Sequence, residues 1–461
     1  MKIKNKIISG WSKSNFSNCN YFEAQTKEQI ADCFEFAKKN KNLICFRGGG
    51  RSYGDNTLNK NNIVLKYKPT QNIISFDESK GEITVSGNCN LIELLKFSIP
   101  KGWLLYVSPG SQHVTVSGAI SNNVHGKNCS NKGYFGDYVK NMEVFTPDKG
   151  LLTCSKEKNS DLYFSVISGL GAFGLIVNAT IKLRKIKTIL INTNTNYVKS
   201  LEHTVENFEK LTDNFEFNIG SLNFTRFSKN FNDGKIYSSN FSEDISLEEK
   251  NSEAGIIIYF INYCLMFNKL PVFNKIIEYC LSRVVSKKLA ETKKIVENYY
   301  SMNFLGDTYL PLYNHFFRNG FIEYQVIFDK EYYLKGINEI YNIIRSNGHS
   351  SYMSSFKSYI ASDEKYIFGL NKNGYCLTFD IPYQKDLKFD TLIRKINEIT
   401  IKYNGQVYFG KTPCVNNEEF KKMYKNYKQF EVVKKNYDSE FIVVSEMTNR
   451  LFSDVYDHNY N

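Results

Sequence analysis

The sequence predicts an α+β protein of two domains, and three observations carry that reading. Its 461 residues exceed the size at which one hydrophobic core stops growing. Short strand-like runs joined by glycine-rich connections crowd the first third, and further along strands alternate with amphipathic helices, the pattern of a sheet covered on one face. An apolar fraction of 42% with 15% aromatics supplies full-sized cores and excludes a disordered chain.

Taken in order, Thr26 opens "TKEQIADCFEFAKKN" and Gln29 follows at the spacing of a capping box, so an amphipathic helix starts there. "NLICF" reads as a short buried strand leading into the glycine loop "FRGGGRSYGDN". "NIVLKY", "IISFD" and "EITVSG" read as strands separated by turn residues, and "NLIELLKF" as a helix. A second unit follows "IKLRKIK" near residue 187. In it "FIEYQVIF", "SYMSSFKSYI" and "GYCLTFDIPY" are strands, and "YLKGINEIYNIIRS" and "FDTLIRKINEITIKY" are helices. Residues 225–310 are the least regular. They hold the apolar run "AGIIIYFINYCLMF" at 254–267, too short to span a bilayer, and then "KIIEYCLSRVVSKKLAETKKI". A buried helix hairpin and a membrane-facing lid both fit this region.

The net charge of +12 comes from 59 basic and 47 acidic side chains. The basic residues are scattered, which predicts a solvated surface and no nucleic-acid partner, and suits an anionic substrate or an anionic membrane surface. Ten cysteines show no CxxC spacing, as expected for a reducing, cytoplasmic setting, and the histidines show no metal-ligand spacing. "MKIKNKIISGW" lacks the apolar core of a signal peptide.

Three glycine-rich stretches point to a ligand approached closely by backbone: "FRGGGRSYGDN", "SPGSQHVTVSGAISNNVHGKN" and "SGLGAFGLIVNATIKL". Exposed successive amides form concave phosphate donors. Neither a P-loop nor a strand-coupled GxGxxG is present, so the expected ligand is a dinucleotide held another way.

"RGGGRSYGD", "VSGAISNNVHGKN" and "GYFGDYVKNMEVFTPDKG" resemble the PCMH-type FAD-binding domain of the vanillyl-alcohol oxidase superfamily. "RSYGDN", "HGKN" and "VYFGK", in that order, resemble more narrowly the decaprenylphosphoryl-ribose 2′-oxidase family, and the likeness weakens between about 190 and 315. The resemblance implies a flavin domain of residues 1–188 completed by 405–461, with a substrate domain, an antiparallel sheet covered by helices, at 189–404. It also implies that Arg47, Gly48, Gly49, Gly50, Arg51, Ser52 and Tyr53 contact the FAD pyrophosphate. Gly110, Gly118, Ala119, Asn122, His125 and Gly126 would line the cofactor, with Ile176 closing over it. Arg51 stands where many relatives carry the linking histidine, so non-covalent FAD is expected.

By the same resemblance Lys411 is the essential lysine and Tyr408 lies beside the flavin. A lysine partly desolvated there can serve as base and as counter-charge. His125 is a proton acceptor, a flavin contact or a structural histidine. Lys127 is a partner for a substrate phosphate. Gln325 and Lys357 match flavin-facing polar positions, a solvent-facing role being the alternative for each. The family's active-site cysteine position falls on Leu377, with Cys376 one residue away and hence on the opposite face.

These features imply oxidation of the 2′-hydroxyl of a polyprenyl-phosphate-linked pentose to the keto sugar. A nicotinamide-dependent reductase would complete an epimerisation for cell-wall biogenesis. A lipid-linked sugar phosphate admits peripheral membrane contact through 254–290. The alternatives are a soluble aldonolactone or alditol oxidase using oxygen, and a non-catalytic FAD-fold scaffold.

Overall fold

Eighteen strands in three sheets build the structure, a computed structural model that describes residues 2–225, 232–244, 294–351 and 353–460 with positions 227, 276, 278, 279 and 282. The apolar run at 254–267 and most of 254–290 lie outside the described residues.

The first sheet holds β1 (Lys4–Ser9), β2 (Phe16–Ala24), β3 (Ile44–Phe46) and β4 (Ile63–Tyr67) in the order β1-β2-β4-β3. β2, β4 and β3 run parallel, which requires a crossover, and the helix Lys27–Lys39 supplies it. Its spaced apolar residues Ile30, Cys33, Phe34 and Ala37 are buried together with Ile44, Ile63 and Leu65. Thr26 Oγ1 accepts from the Gln29 amide at 3.3 Å, as a cap should. The Gln29 side chain instead accepts from the Gln25 amide at 2.7 Å, so the expected box closes one residue early.

The second sheet is antiparallel. It comprises β5 (Ile73–Asp77), β6 (Glu82–Ser86), β7 (Trp103–Leu105), β8 (Val139–Thr146), β9 (Gly150–Ser155) and β10 (Leu175–Lys185), ordered β5-β6-β10-β8-β9 with β7 pairing β10.

The third sheet has eight antiparallel strands: β11 (Leu190–Val198), β12 (Phe217–Leu222), β13 (Gly234–Phe241), β14 (Lys294–Asn298), β15 (Phe321–Asp329), β16 (Ser355–Tyr359), β17 (Gly374–Pro382) and β18 (Gln406–Val407). Their order is β14-β11-β13-β12-β16-β17-β15-β18. The amphipathic helices Lys330–Ser346 and Leu387–Lys402 bury Ile337, Ile340, Ile344, Leu392 and Ile396 in the same core as Tyr324, Val326, Leu377 and Phe379 of the sheet. The alternate side chains of β15 and β17 lie on the opposite face, and this is the face that carries the site.

The last segment returns to the first sheet. The Ile44 amide donates to Ile442 O at 2.7 Å and the Val444 amide to Ile44 O at 2.8 Å, laying 442–444 alongside β3. The architecture is a two-domain α+β fold.

Candidate active site

The glycine loop leaves β3 at the carboxyl end of the parallel strands, where open sheets place their ligands. Its small residues are required by close packing. A Cβ on Gly49 would sit 2.4 Å from His113 O, and Gly50 has φ +65°, so the first loop presses backbone against the second. The Arg47 guanidinium braces the loop from within the protein, donating to Thr57 Oγ1 at 2.9 Å and to Ser9 O at 3.0 Å. A Cβ on Gly87 would lie 2.1 Å from Ile176 O, bringing the β6 end equally close to β10.

Between these loops and the open face of the third sheet lies a cavity of about 1810 Å³, larger than the roughly 300–1,000 Å³ typical of one small ligand. Gly48, Gly49, Gly50, Ser117, Gly118, Asn122 and Ile176 line one wall, and Gln325, Lys357, Thr378 and Asp380 the other, with Lys411 also on the lining. The glycine wall fits a pyrophosphate: Gly48, Gly49 and Gly50 present backbone without side chains on the lining, and successive amides of that kind donate to phosphate.

Lys411 Nζ lies 3.1 Å from Glu323 Oε2 and 3.7 Å from the centre of the Tyr53 ring. Glu323 is directly opposite Asp380 in the β15–β17 register, and both are buried. Tyr313 OH donates to Asp380 Oδ2 at 2.7 Å. Burial, and then the charge of Glu323, holds the Asp380 carboxyl well above the usual carboxylate range.

His125 is buried within 3.0 Å of Tyr359 OH and 3.1 Å of Gln325 Nε2. Desolvation first, then the charges of Lys357 and Lys411, pushes its pKa well below the ordinary value, so the ring is neutral. Tyr408 meets His125 edge to face at 4.9 Å and donates to Asn122 O at 3.0 Å. It carries the order of the glycine side across to the sheet side. Desolvation also lowers Lys127 and Lys357. The Lys127 amine donates to Met302 O.

The FAD binding domain family model matches residues 20–155, and the D-arabinono-1,4-lactone oxidase model matches 376–451. Decaprenylphosphoryl-beta-D-ribose oxidase of Mycolicibacterium smegmatis is 24% identical over 457 residues, 97% of each chain. The chain is an FAD-dependent oxidoreductase. Cytokinin dehydrogenase 1 of Arabidopsis thaliana is 34% identical to the flavoprotein over 152 residues, 30% of this chain and 25% of that one. D-arabinono-1,4-lactone oxidase of Debaryomyces hansenii is 26% identical over 186 residues, 37% of this chain and 33% of that one.

The flavoprotein brings most of the expected residues to one cavity: the loop from Arg47 to Tyr53, Gly110, Gly118, Asn122, His125, Lys127, Ile176, Gln325, Lys357, Tyr408 and Lys411 all line it. Gln325 and Lys357 thus face the cavity and not bulk water. Ala119 and Gly126 are not on its lining. Ala119 packs into the main core, and the Gly126 Cα faces Asn128 Oδ1 and Ser108 O, where a Cβ would stand 2.6 and 3.0 Å away. Tyr53 packs against Trp11 and Phe321, at ring-centre distances of 4.7 and 5.5 Å, beneath the Lys411 amine. Its ring therefore serves the lysine.

The expectation for β17 needs correction. Leu377 faces the core, whereas Cys376, Thr378 and Asp380 share the cavity side because strand side chains alternate. The residue opposite Gln325 that lines the cavity is Thr378. Cys376 is fully buried, and desolvation pushes its thiol up to about 12, which disfavours the thiolate. Glu323 and Asp380 were not anticipated. Their one sequence signal is an acidic residue inside each of two largely apolar strands.

Proposed function

We propose that the enzyme oxidises a ring hydroxyl of a phosphate-bearing sugar, most closely the 2′-hydroxyl of a polyprenyl-phosphate-linked pentose, to the keto sugar, with FAD held non-covalently. The observation that carries this reading is the convergence of Lys411, His125 and the two half-buried lysines Lys127 and Lys357 on the cavity that the glycine loops border. Support comes from a decaprenylphosphoryl-ribose oxidase relative that matches over 97% of both chains. FAD would be held by Gly48, Gly49, Gly50, Gly118 and Asn122, and when bound it supplies the hydride acceptor. The chain's own groups do the rest: Lys127 and Lys357 attract the phosphate, Lys411 meets the hydroxyl, and Tyr408 and Asn122 tie the two walls together.

A nicotinamide-dependent reductase acting next would complete an epimerisation for envelope polysaccharide, and the lipid tail would stay at a membrane surface. No helix among the described residues is long and apolar enough to cross a membrane. A second reading, an aldonolactone oxidase, is favoured by the match of residues 376–451.

Anaerobic mixing with polyprenylphosphoryl-ribose, D-arabinono-1,4-lactone and free alditols separates the readings. Bleaching of the flavin absorbance by the lipid-linked sugar is expected. Bleaching by the lactone or alditols alone overturns the proposal.

A further inference from the structure

Two acids stand abreast beside one cation. Glu323 and Asp380 are cross-strand partners on the cavity face, 6% and 3% exposed. Among the described residues Lys411 is the one cation ion-paired with either of them. Like charges directly opposite in a sheet repel, and two buried carboxylates side by side resist both being ionised. Asp380 Oδ2 already accepts from Tyr313, its main-chain amide donates to Ser351 Oγ at 2.9 Å, and its buried Oδ1 has no partner. A proton on that orphaned oxygen, directed at Glu323, satisfies both carboxyls.

We propose that Glu323 and Asp380 hold one proton between them and that this pair, reached across Lys411, takes the proton released when the substrate hydroxyl is oxidised. The inference rests on the alcohol oxidation proposed above. A proton of the Lys411 ammonium passes to Glu323 Oε2, and the freed amine takes the hydroxyl proton, breaking the O–H bond and restoring the ammonium. FAD, when bound, would supply the acceptor for the carbon's hydrogen as hydride. The pair then carries a proton on each carboxyl, and the site gains one positive charge as the hydride departs. The titratable groups facing the pair are Lys411, Tyr53, Tyr313, Tyr408, from β17 Cys376 and, from β16, Lys357.

Infrared difference spectra of the wild-type holoprotein against Asp380→Asn test the shared proton without any substrate. The carbonyl band of a buried carboxylic acid is expected at neutral pH in the wild type and lost in the variant. Its absence from the wild type overturns the proposal. Glu323→Gln tests the relay with polyprenylphosphoryl-ribose. A fall in kcat of about 10²-fold or more at little-changed KM, with wild-type FAD content, is expected, and retention of kcat within about twofold overturns the relay. If Glu323→Gln loses FAD, the infrared comparison decides. If the wild type oxidises none of the sugars, the substrate reading falls while the infrared result still judges the pair.

Discussion

At the residue scale, Lys411 gathers the chemistry because Glu323 and the Tyr53 ring fix its amine from two sides. Lys411→Ala should therefore lower turnover by about 10²-fold or more while FAD absorbance stays close to wild type; an unchanged rate of flavin bleaching would remove Lys411 from the mechanism. His125 supplies a stability prediction. Burial holds its folded pKa well below the ordinary imidazole value, so the unfolded chain binds the proton first. The stability of the neutral buried ring is present above pH about 6.5 and is lost as the pH falls below it. The melting temperature should drop from pH 7 to 5, and His125→Gln should flatten that slope. Equal slopes in the two proteins would show that His125 is not the group responsible.

At the element scale, the glycine loop was legible because its demands are local: three consecutive glycines, repeated by two further glycine-rich stretches, point to close approach, and a Cβ on Gly49 would meet His113 O. Gly49→Ala should displace the loop and lower the flavin-to-protein absorbance ratio of the purified protein by about tenfold, since a backbone oxygen cannot move as a side chain can. The third sheet was half legible. "FIEYQVIF" and "GYCLTFDIPY" were apolar enough to be seen, but "LINTNTNYV" and "GKIYSSNF" were not, because the cavity-lining side chains Thr193, Thr195 and Ser239 are themselves polar and leave no hydrophobic alternation. Glu323 escaped for the same reason, since a polar residue at period two reads as the solvent side. The alternation of β17 also predicts that Cys376 resists iodoacetamide at pH 8 in the folded protein and reacts in urea, as peptide mass mapping would show; rapid labelling of the native thiol would contradict its burial.

At the scale of the whole molecule, the C-terminal segment is bound to the flavin domain by a buried clamp. Lys434 Nζ, fully buried, donates to Ala172 O and Val443 O at 2.6 Å and pairs with Asp438 at 2.7 Å. Asp438 in turn accepts from the Ile442 and Val443 amides. Lys434→Met strands the acid and should cost about 3–5 kcal/mol in urea unfolding. The Lys434→Met, Asp438→Leu double variant should recover part of that loss, because removing both charges leaves no unpaired one; a strictly additive loss would argue against the coupling. The path of this segment bears on biosynthesis. A nascent chain halted before residue 411 has made every glycine turn but not the amine they face, and one halted before 443 has not yet covered β3. Cofactor capture should therefore wait until this segment has been made and has docked, and pools of newly made, colourless protein should mark cells short of riboflavin.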